Sequence, residues 1–340
     1  MRSVTADPES RLATWLAANA GLHDARIGET LTGGNANVTR MVTAREGRFV
    51  LRHPPTHSVS NKAAAGIARE FTAISALAGQ APVPRPVAYC ADADIIGQPF
   101  AIVEFVDGVA ITNTFPQAYG ADATARIGHS MITTLAAIHR VDPAPLREQG
   151  FGRPEGFARR QVERWRKVRA DQAVRDLPLL DELGRWLLET LPAESKPAIV
   201  HCDFHLDNCL SARDRPELCA VIDWEMATVG DPLVDLGLCL FFWKRDPAAT
   251  LGFGFVQAIS NRTDAPERAE LADAWSRASD RDHTTLPWHM VFAAWRLAAI
   301  VEGAWVLHVE GKASSSYARG LEHDVPDLLH EAAALVERAA

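Results

Sequence analysis

Two short apolar runs, Ala198-Ile199-Val200 and Cys219-Ala220-Val221-Ile222, bracket the segment His201-Cys202-Asp203-Phe204-His205-Leu206-Asp207-Asn208. Asp223 follows the second run directly. This arrangement constrains the chain more than any other. A loop leaving one strand can present Asp203 and Asn208 on the same side, and an aspartate at the end of the next strand can meet Asn208 across a metal. Phosphoryl transfer to a hydroxyl needs a carboxylate to orient the nucleophile and accept its proton. It also needs oxygen ligands to hold Mg²⁺ on the nucleotide phosphates. Mg²⁺ keeps several waters and takes one or two protein ligands, so one Asn and one Asp suffice. The competing reading is a hydrogen-bonded turn of His201 and Asp203 with Asn208 as a local cap. The strands on both sides and the second strand-linked aspartate weigh against it.

At 340 residues the chain exceeds one ordinary domain, so two lobes or one large domain with insertions are expected. With 47% hydrophobic and 23% charged residues it has ample material for a core. A formal net charge of −8 argues against a nucleic-acid partner, which calls for a basic surface, but not against a local basic pocket for phosphates. The five cysteines form no CxxC pair and are odd in number, which argues against a disulfide framework or structural zinc. The N-terminus lacks a basic-then-apolar signal pattern, and no uninterrupted run reaches the roughly 18 apolar residues of a membrane helix. The expectation is a soluble cytoplasmic protein with no membrane partner. Its oligomeric state is not readable.

Apolar spacing predicts a helix over residues 10–19, a turn between two strands within 31–42, and a third strand over 48–52 stopped by Pro54 and Pro55. In the turn, Gly33, Gly34 and Asn35 supply positive φ where the chain reverses. A helix is expected over 62–78, an extended connector over 81–86, and a buried strand over 99–106. Helical periodicity then covers 123–140, 156–170 and 177–191, and most of the chain beyond Pro232. A β-rich first third joined to an α-rich remainder predicts an α+β fold of two lobes, 1–106 and 107–340, with a cleft between them.

The segment HCDFHLDN followed by VIDWEMATVGDPLVDL resembles the aminoglycoside phosphotransferase/choline kinase family of the protein-kinase-like superfamily. In that family the loop reads H-x-D-x4-N, and an aspartate after a β-strand replaces the protein-kinase DFG. The resemblance covers essentially the whole chain and implies a bilobal protein-kinase-like fold. It implies a small-molecule kinase that moves the γ-phosphate of ATP (or GTP) to a hydroxyl, with Mg²⁺. By matched position, Asp203 would be the catalytic base, and Asn208 and Asp223 would hold Mg²⁺. Arg52 would take the place of the usual strand lysine at the phosphates, paired with Glu70. Gly33, Gly34 and Asn35 would lie in the nucleotide-covering loop, and backbone groups from Glu104 to Val106 would bind the base edge. Asp235 resembles the buried aspartate that braces the catalytic loop. Two features depart from the family pattern: Arg and Lys are not interchangeable at a phosphate, and the glycine loop is short. Arg160-Gln161-x4-Arg166 around Trp165, together with WEMATVGDP, most resembles the subgroup also found fused to acyl-CoA dehydrogenase-like domains. No dehydrogenase fits in this chain beside the kinase-like portion.

Other residues leave two readings open. His205 can donate to the transferred phosphate or stabilise the loop, and Glu225 can face the metal's surroundings or pair with an arginine. Asp207 reads mainly as a cap, Asp231 as the cap of the next helix, and His139 as a helix C-terminal dipole partner. The basic run Arg159, Arg160, Arg164, Arg166, Lys167 and Arg169 is either a solvated helix face or a site for an anionic acceptor such as a hydroxyacyl group. An aminoglycoside or amino-alcohol kinase is the alternative, and its pocket would be acidic. A non-catalytic nucleotide-binding regulatory module is the reading from another class, and a flavin dehydrogenase a third. Arg296 and Glu302, set among aromatic residues, are candidates for polar contacts.

Overall fold

The computed structural model describes residues 7–31, 37–55, 61–111, 113–245, 257–312 and 316–339. In chain order the elements begin with α1 (Pro8–Ala20), β1 (Arg26–Thr30), β2 (Val38–Ala44), β3 (Gly47–His53), α2 (Asn61–Leu77), β4 (Pro86–Cys90), β5 (Phe100–Glu104) and β6 (Gly108–Ala110). They continue with α3 (Ala123–Arg140), α4 (Ala144–Glu148), α5 (Phe157–Asp171), α6 (Pro178–Glu189), β7 (Ala198–Val200), β8 (Cys209–Ala212), β9 (Leu218–Val221) and β10 (Thr228–Gly230). Helices α7 (Leu233–Phe242), α8 (Arg268–Ser279), α9 (Leu286–Val309) and α10 (Ser316–Ala339) follow. The chain divides into two compact units: Met1–Gly108 with Cys219–Ala227, and Val109–Leu218 with Thr228–Ala340. Reading the sequence linearly puts 219–227 with the second portion; the structure counts it with the first.

The first unit is built on a five-stranded sheet of order β1-β2-β3-β5-β4, antiparallel at every pairing. Strand β3 carries its apolar residues at alternate positions, so Phe49 and Leu51 are buried together with Leu12 and Leu16 of α1, Phe100 and Ile102. Trp15 meets Phe100 edge to face at 5.0 Å. The same alternation turns Arg52 to the other side, where α2 supplies Glu70. Strand β4 was not expected. Its flanking prolines read as a connector, yet Pro86 is its first residue and β4 lies at the sheet edge, where a missing N–H costs no ladder bond.

In the second unit β7 pairs antiparallel with β10, Ala198 opposite Gly230 and Val200 opposite Thr228. Helix α3 packs on α8, and α9 packs on α7 and α10. Every residue of α7 is buried, so it has no solvent face and must fit its neighbours all round. At Gly237 an added Cβ would lie 2.8 Å from the backbone carbon and oxygen of His289 on α9. Gly237→Ala is therefore expected to cost about 1–3 kcal/mol through overpacking, seen as a lower urea midpoint at unchanged slope.

Helix α9 is more apolar as a whole than its interrupted runs convey. No uninterrupted apolar run is long, but the helix as a whole reaches a mean hydropathy of 1.6 over 18 residues, enough by length and composition to cross a membrane. Two-thirds of that window (67%) is buried within the protein, against α7 and α10, where its Phe292 and Trp295 join a cluster with Phe241, Leu321 and Leu328.

Candidate active site

The chain leaves β7 at Val200 into a loop whose backbone is fixed from beneath. Asp235, in the first turn of α7 and wholly buried, accepts hydrogen bonds from the amides of His201 (2.6 Å) and Cys202 (2.7 Å) through its two oxygens. Cys202 has φ +66°, a region that non-glycine residues rarely adopt. Its carbonyl accepts from the guanidinium of Arg296, buried in α9. The Cys202 residue is thus held at both its amide and its carbonyl, which fixes where Asp203 emerges. Arg296 was read only as a general candidate for polar contact. The signal was there: a lone arginine in an apolar helix must find a partner.

Asp203 keeps 42% of its side chain exposed. Its Oδ2 and its carbonyl accept from the Asn208 amide at 3.0 and 2.9 Å. With that NH₂ group spent on Asp203, Oδ1 is the Asn208 atom that can ligate a cation. His205 lies between two carboxylates, 3.5 Å from Asp203 and 3.2 Å from Asp207, and its ring packs 5.3 Å from that of Phe242. Burial pushes His205 down, but its bonds to Asp203 and Asp207 and their charges outweigh this and raise it to about 9. Burial likewise pushes Asp203 up, but the His205 bond and the charges of His205, His201 and Arg296 bring it to about 2. Asp203 is ionised at neutral pH. Of the two readings of His205, the loop-stabilising one has its partners in place, and Asp207 is one of them.

The first unit holds a second cluster. Arg52 Nε lies 3.0 Å from Glu70, and Arg52 Nη2 donates to Asp223 Oδ1 at 2.9 Å. Asp223 itself has φ +66°. It leads a single 3₁₀ turn, Trp224–Met226, that packs on α2, with Trp224 buried and bonded to the Val221 carbonyl at 2.9 Å. Glu225 accepts from the side chain of Asn37 at 2.8 Å, and its charge also acts on Arg52. Burial raises Glu70 to about 7; Arg52 pulls it down while the charges of Asp223 and Glu225 push it up. Arg52 thus bridges Glu70 and Asp223, with the charge of Glu225 acting on it at longer range.

Gly33, Gly34 and Asn35 lie outside the described residues. At the expected base-binding edge, the Glu104 amide donates to the Arg85 carbonyl (2.9 Å) and its carboxylate pairs with Arg85 (2.8 Å). The Phe105 amide donates to Arg48 (3.1 Å), and the Val106 carbonyl accepts from Gly108 (2.9 Å).

The basic run forms α5, and several of its side chains are held by bonds within the protein. Arg160 donates to the carbonyls of Arg153 and Glu155, and Lys167 pairs with Asp171 at 2.9 Å. Arg169 is buried and bonds Gln172 at 2.6 Å. Asp231 lies one residue before the N-cap, Pro232, where it accepts from the first helical amide, Leu233, at 3.0 Å and also binds Ser195 and His289.

His139 is not a charged dipole partner. It is wholly buried, and Trp275 Nε1, which can only donate, bonds its Nδ1 at 3.1 Å. The ring is therefore the neutral Nε2–H tautomer facing Asp235 at 3.4 Å. Burial holds His139 below its ordinary value, more than Asp235 raises it. The unfolded chain takes up a proton below about pH 6.5 that the folded one refuses, so stability falls as pH drops through that value. Urea titrations between pH 7.5 and 5.5 are expected to show a steeper loss in the wild type than in His139→Gln.

Residues 28–273 match the family described as APH, phosphotransferase enzyme family. Acyl-CoA dehydrogenase family member 11 of Rattus norvegicus is 33% identical over 289 residues, which are 83% of this chain and 36% of that protein. The chain thus spans about a third of the length of such curated relatives. A solved structure from Ralstonia eutropha JMP134, provisionally assigned as an aminoglycoside phosphotransferase, superposes with a TM-score of 0.79 at 27% identity, covering 96% of this chain and 98% of that one. The GDP and kanamycin complex of APH(2″)-IIIa shares the fold, with a TM-score of 0.62 at 16% identity over 95% of this chain and 98% of that one. The architecture is the bilobal, protein-kinase-like α+β fold, and the chain belongs to the APH phosphotransferase enzyme family.

Proposed function

We propose that this phosphotransferase moves the γ-phosphate of ATP or GTP to a hydroxyl of a small molecule, with Asp203 as the base. One observation carries the reading: an ionised, half-exposed carboxylate on a loop whose backbone is pinned by Asp235 and Arg296. Such a group can align a hydroxyl and accept its proton without reorganising, and phosphoryl transfer depends chiefly on positioning and charge neutralisation. Asn208 Oδ1 and the Asp223 carboxylate would hold Mg²⁺, which when bound supplies positive charge at the phosphates. The Asp223 carboxylate, 30% exposed beside Arg52, is an oxygen ligand of the kind such a cation takes. Arg52, kept in place by Glu70, would face the phosphates, and His205 would hold Asp203 in its ionised form beside the transferred group. With the Glu104 and Phe105 amides engaged, the Glu104 carbonyl and the Val106 amide are the groups assigned to the base. Gly33, Gly34 and Asn35 would cover the nucleotide.

For the acceptor, a hydroxyacyl or other anionic compound is favoured by the likeness to proteins named as acyl-CoA dehydrogenases. The bonds that hold α5 side chains within the protein give that choice no further support, and aminoglycosides or amino alcohols are the alternative. All five cysteines are unpaired, in keeping with a cytoplasmic setting. The test is a nucleotide-consumption screen across hydroxyacyl-CoAs, amino alcohols, sugars and aminoglycosides, with Asp203→Asn as blank. Turnover by the wild type alone supports the reading. Nucleotide binding without turnover on any acceptor would point instead to a regulatory module.

A further inference from the structure

The second unit carries a basic concavity of about 530 Å³ that the phosphotransfer reading does not use. It is lined by Arg140 at the end of α3, Lys196 before β7, and Arg277, Ser279, Asp280 and Arg281 at the end of α8. Arg281 forms its built wall, donating to the carbonyls of Lys196 (2.5 Å), His139 (2.9 Å) and Pro197 (3.4 Å). Those three partners are uncharged and orient the guanidinium, whose charge Asp231 offsets in part from outside the hollow's lining. Arg140, Lys196 and Arg277 are exposed.

The bland explanation is that cations gather here to offset the ends of α3 and α8. Magnitudes decide against its being the whole account. Each helix C-terminus contributes roughly half a negative charge. Two such ends and Asp280 offset about half of the charge on four cations, and with Asp231 acting on Arg281 about one to two positive charges remain around one hollow. In a chain of net charge −8 this is a local reversal of sign. The volume lies within the range of small-ligand pockets. The acidic remainder of the protein disfavours long polyanions such as nucleic acid.

We propose that this hollow is a binding site for a small dianion or polyanion carrying phosphate or carboxylate groups, separate from the phosphotransfer residues. Arginine forks suit both groups, and Asp280 is the one lining residue that opposes them. The two parts of the prediction have opposite signs. Pyrophosphate is titrated calorimetrically into the full chain without divalent metal, with citrate in a parallel series to tell phosphate from carboxylate preference. Arg140→Glu/Arg277→Glu is expected to weaken binding at least tenfold. Asp280→Asn is expected to tighten it about fivefold, from removal of one like charge near the surface; asparagine tolerates the φ of +55° found there. Circular dichroism checks folding of each variant, and Lys196→Glu replaces the double variant if that fails to fold. Unsaturable binding of both anions, or equal affinity across the variants, would overturn the assignment. The latter would place the anion elsewhere, for example on the nucleotide site.

Discussion

Asp203→Asn is expected to lower kcat by about 10²–10⁴-fold, the usual contribution of a positioned general base. Nucleotide affinity is expected to stay within about twofold, because the substitution is isosteric and Asn208, its neighbour, keeps the Asp203 carbonyl as a partner. The pairing of the two results is the discriminating feature. Asp203 already stands ionised, at about 2, so lowering the pH to 6 does not mimic the variant in the wild type. A merely structural Asp203 would give the opposite pattern: a reduced melting temperature with turnover close to normal. Nucleotide titration by fluorescence, beside steady-state turnover on whichever acceptor the screen identifies, checks both halves. Near wild-type turnover would remove Asp203 as the base.

Asp235→Ala is expected to be the most damaging single change to the fold of the second unit. It removes both acceptors from two buried amides and the carboxylate facing the Nε2–H of His139. Each orphaned buried donor costs about 1–3 kcal/mol. The total is therefore expected at about 3–5 kcal/mol, comparable to stripping one partner from a buried charged pair. The positive φ of Cys202 makes the loss local as well as global, since the Asp235 bonds are what hold that conformation against its intrinsic cost. Asp235→Asn retains one acceptor but turns an NH₂ group toward one of the amides, so it is expected to recover little. Urea midpoints at matched slope measure the cost. A loss below about 1 kcal/mol would show that the loop does not depend on this carboxylate.

Much of the site was legible because its chemistry is contiguous in the chain. Asp203, His205 and Asn208 sit within six residues, and their mutual bonds are local. Asp223 was marked by the strand before it. Helix α3, with Ile127, Met131, Leu135 and Ile138 at helical spacing, was readable end to end. Contacts made at long range were harder to see. Arg296 reaches Cys202 across 94 residues, and Asn37 reaches Glu225 across 188. No local pattern announces such pairs. Strand β4 was hidden by its prolines, and β8 and β10, at four and three residues, are too short for a period of two to register. His139 was misread because position near a helix end implied a charge, whereas its partners Trp275 and Asp235 lie far along the chain.

The discontinuity of the first unit bears on how the protein is made. Its sheet and both of its helices are encoded before residue 109, but the segment that bears Asp223 is encoded 110 residues later. A chain emerging from the ribosome can collapse its amino-terminal portion early, yet that portion stays incomplete until about half of the second unit has been synthesised. The closing contact, Arg52 with Asp223, spans 171 positions and is made only after the entropic cost of that long loop has been met. Until then Arg52 has Glu70 and no Asp223. Completion of the Arg52 cluster is thereby coupled to translation of the segment containing the Asp203 loop.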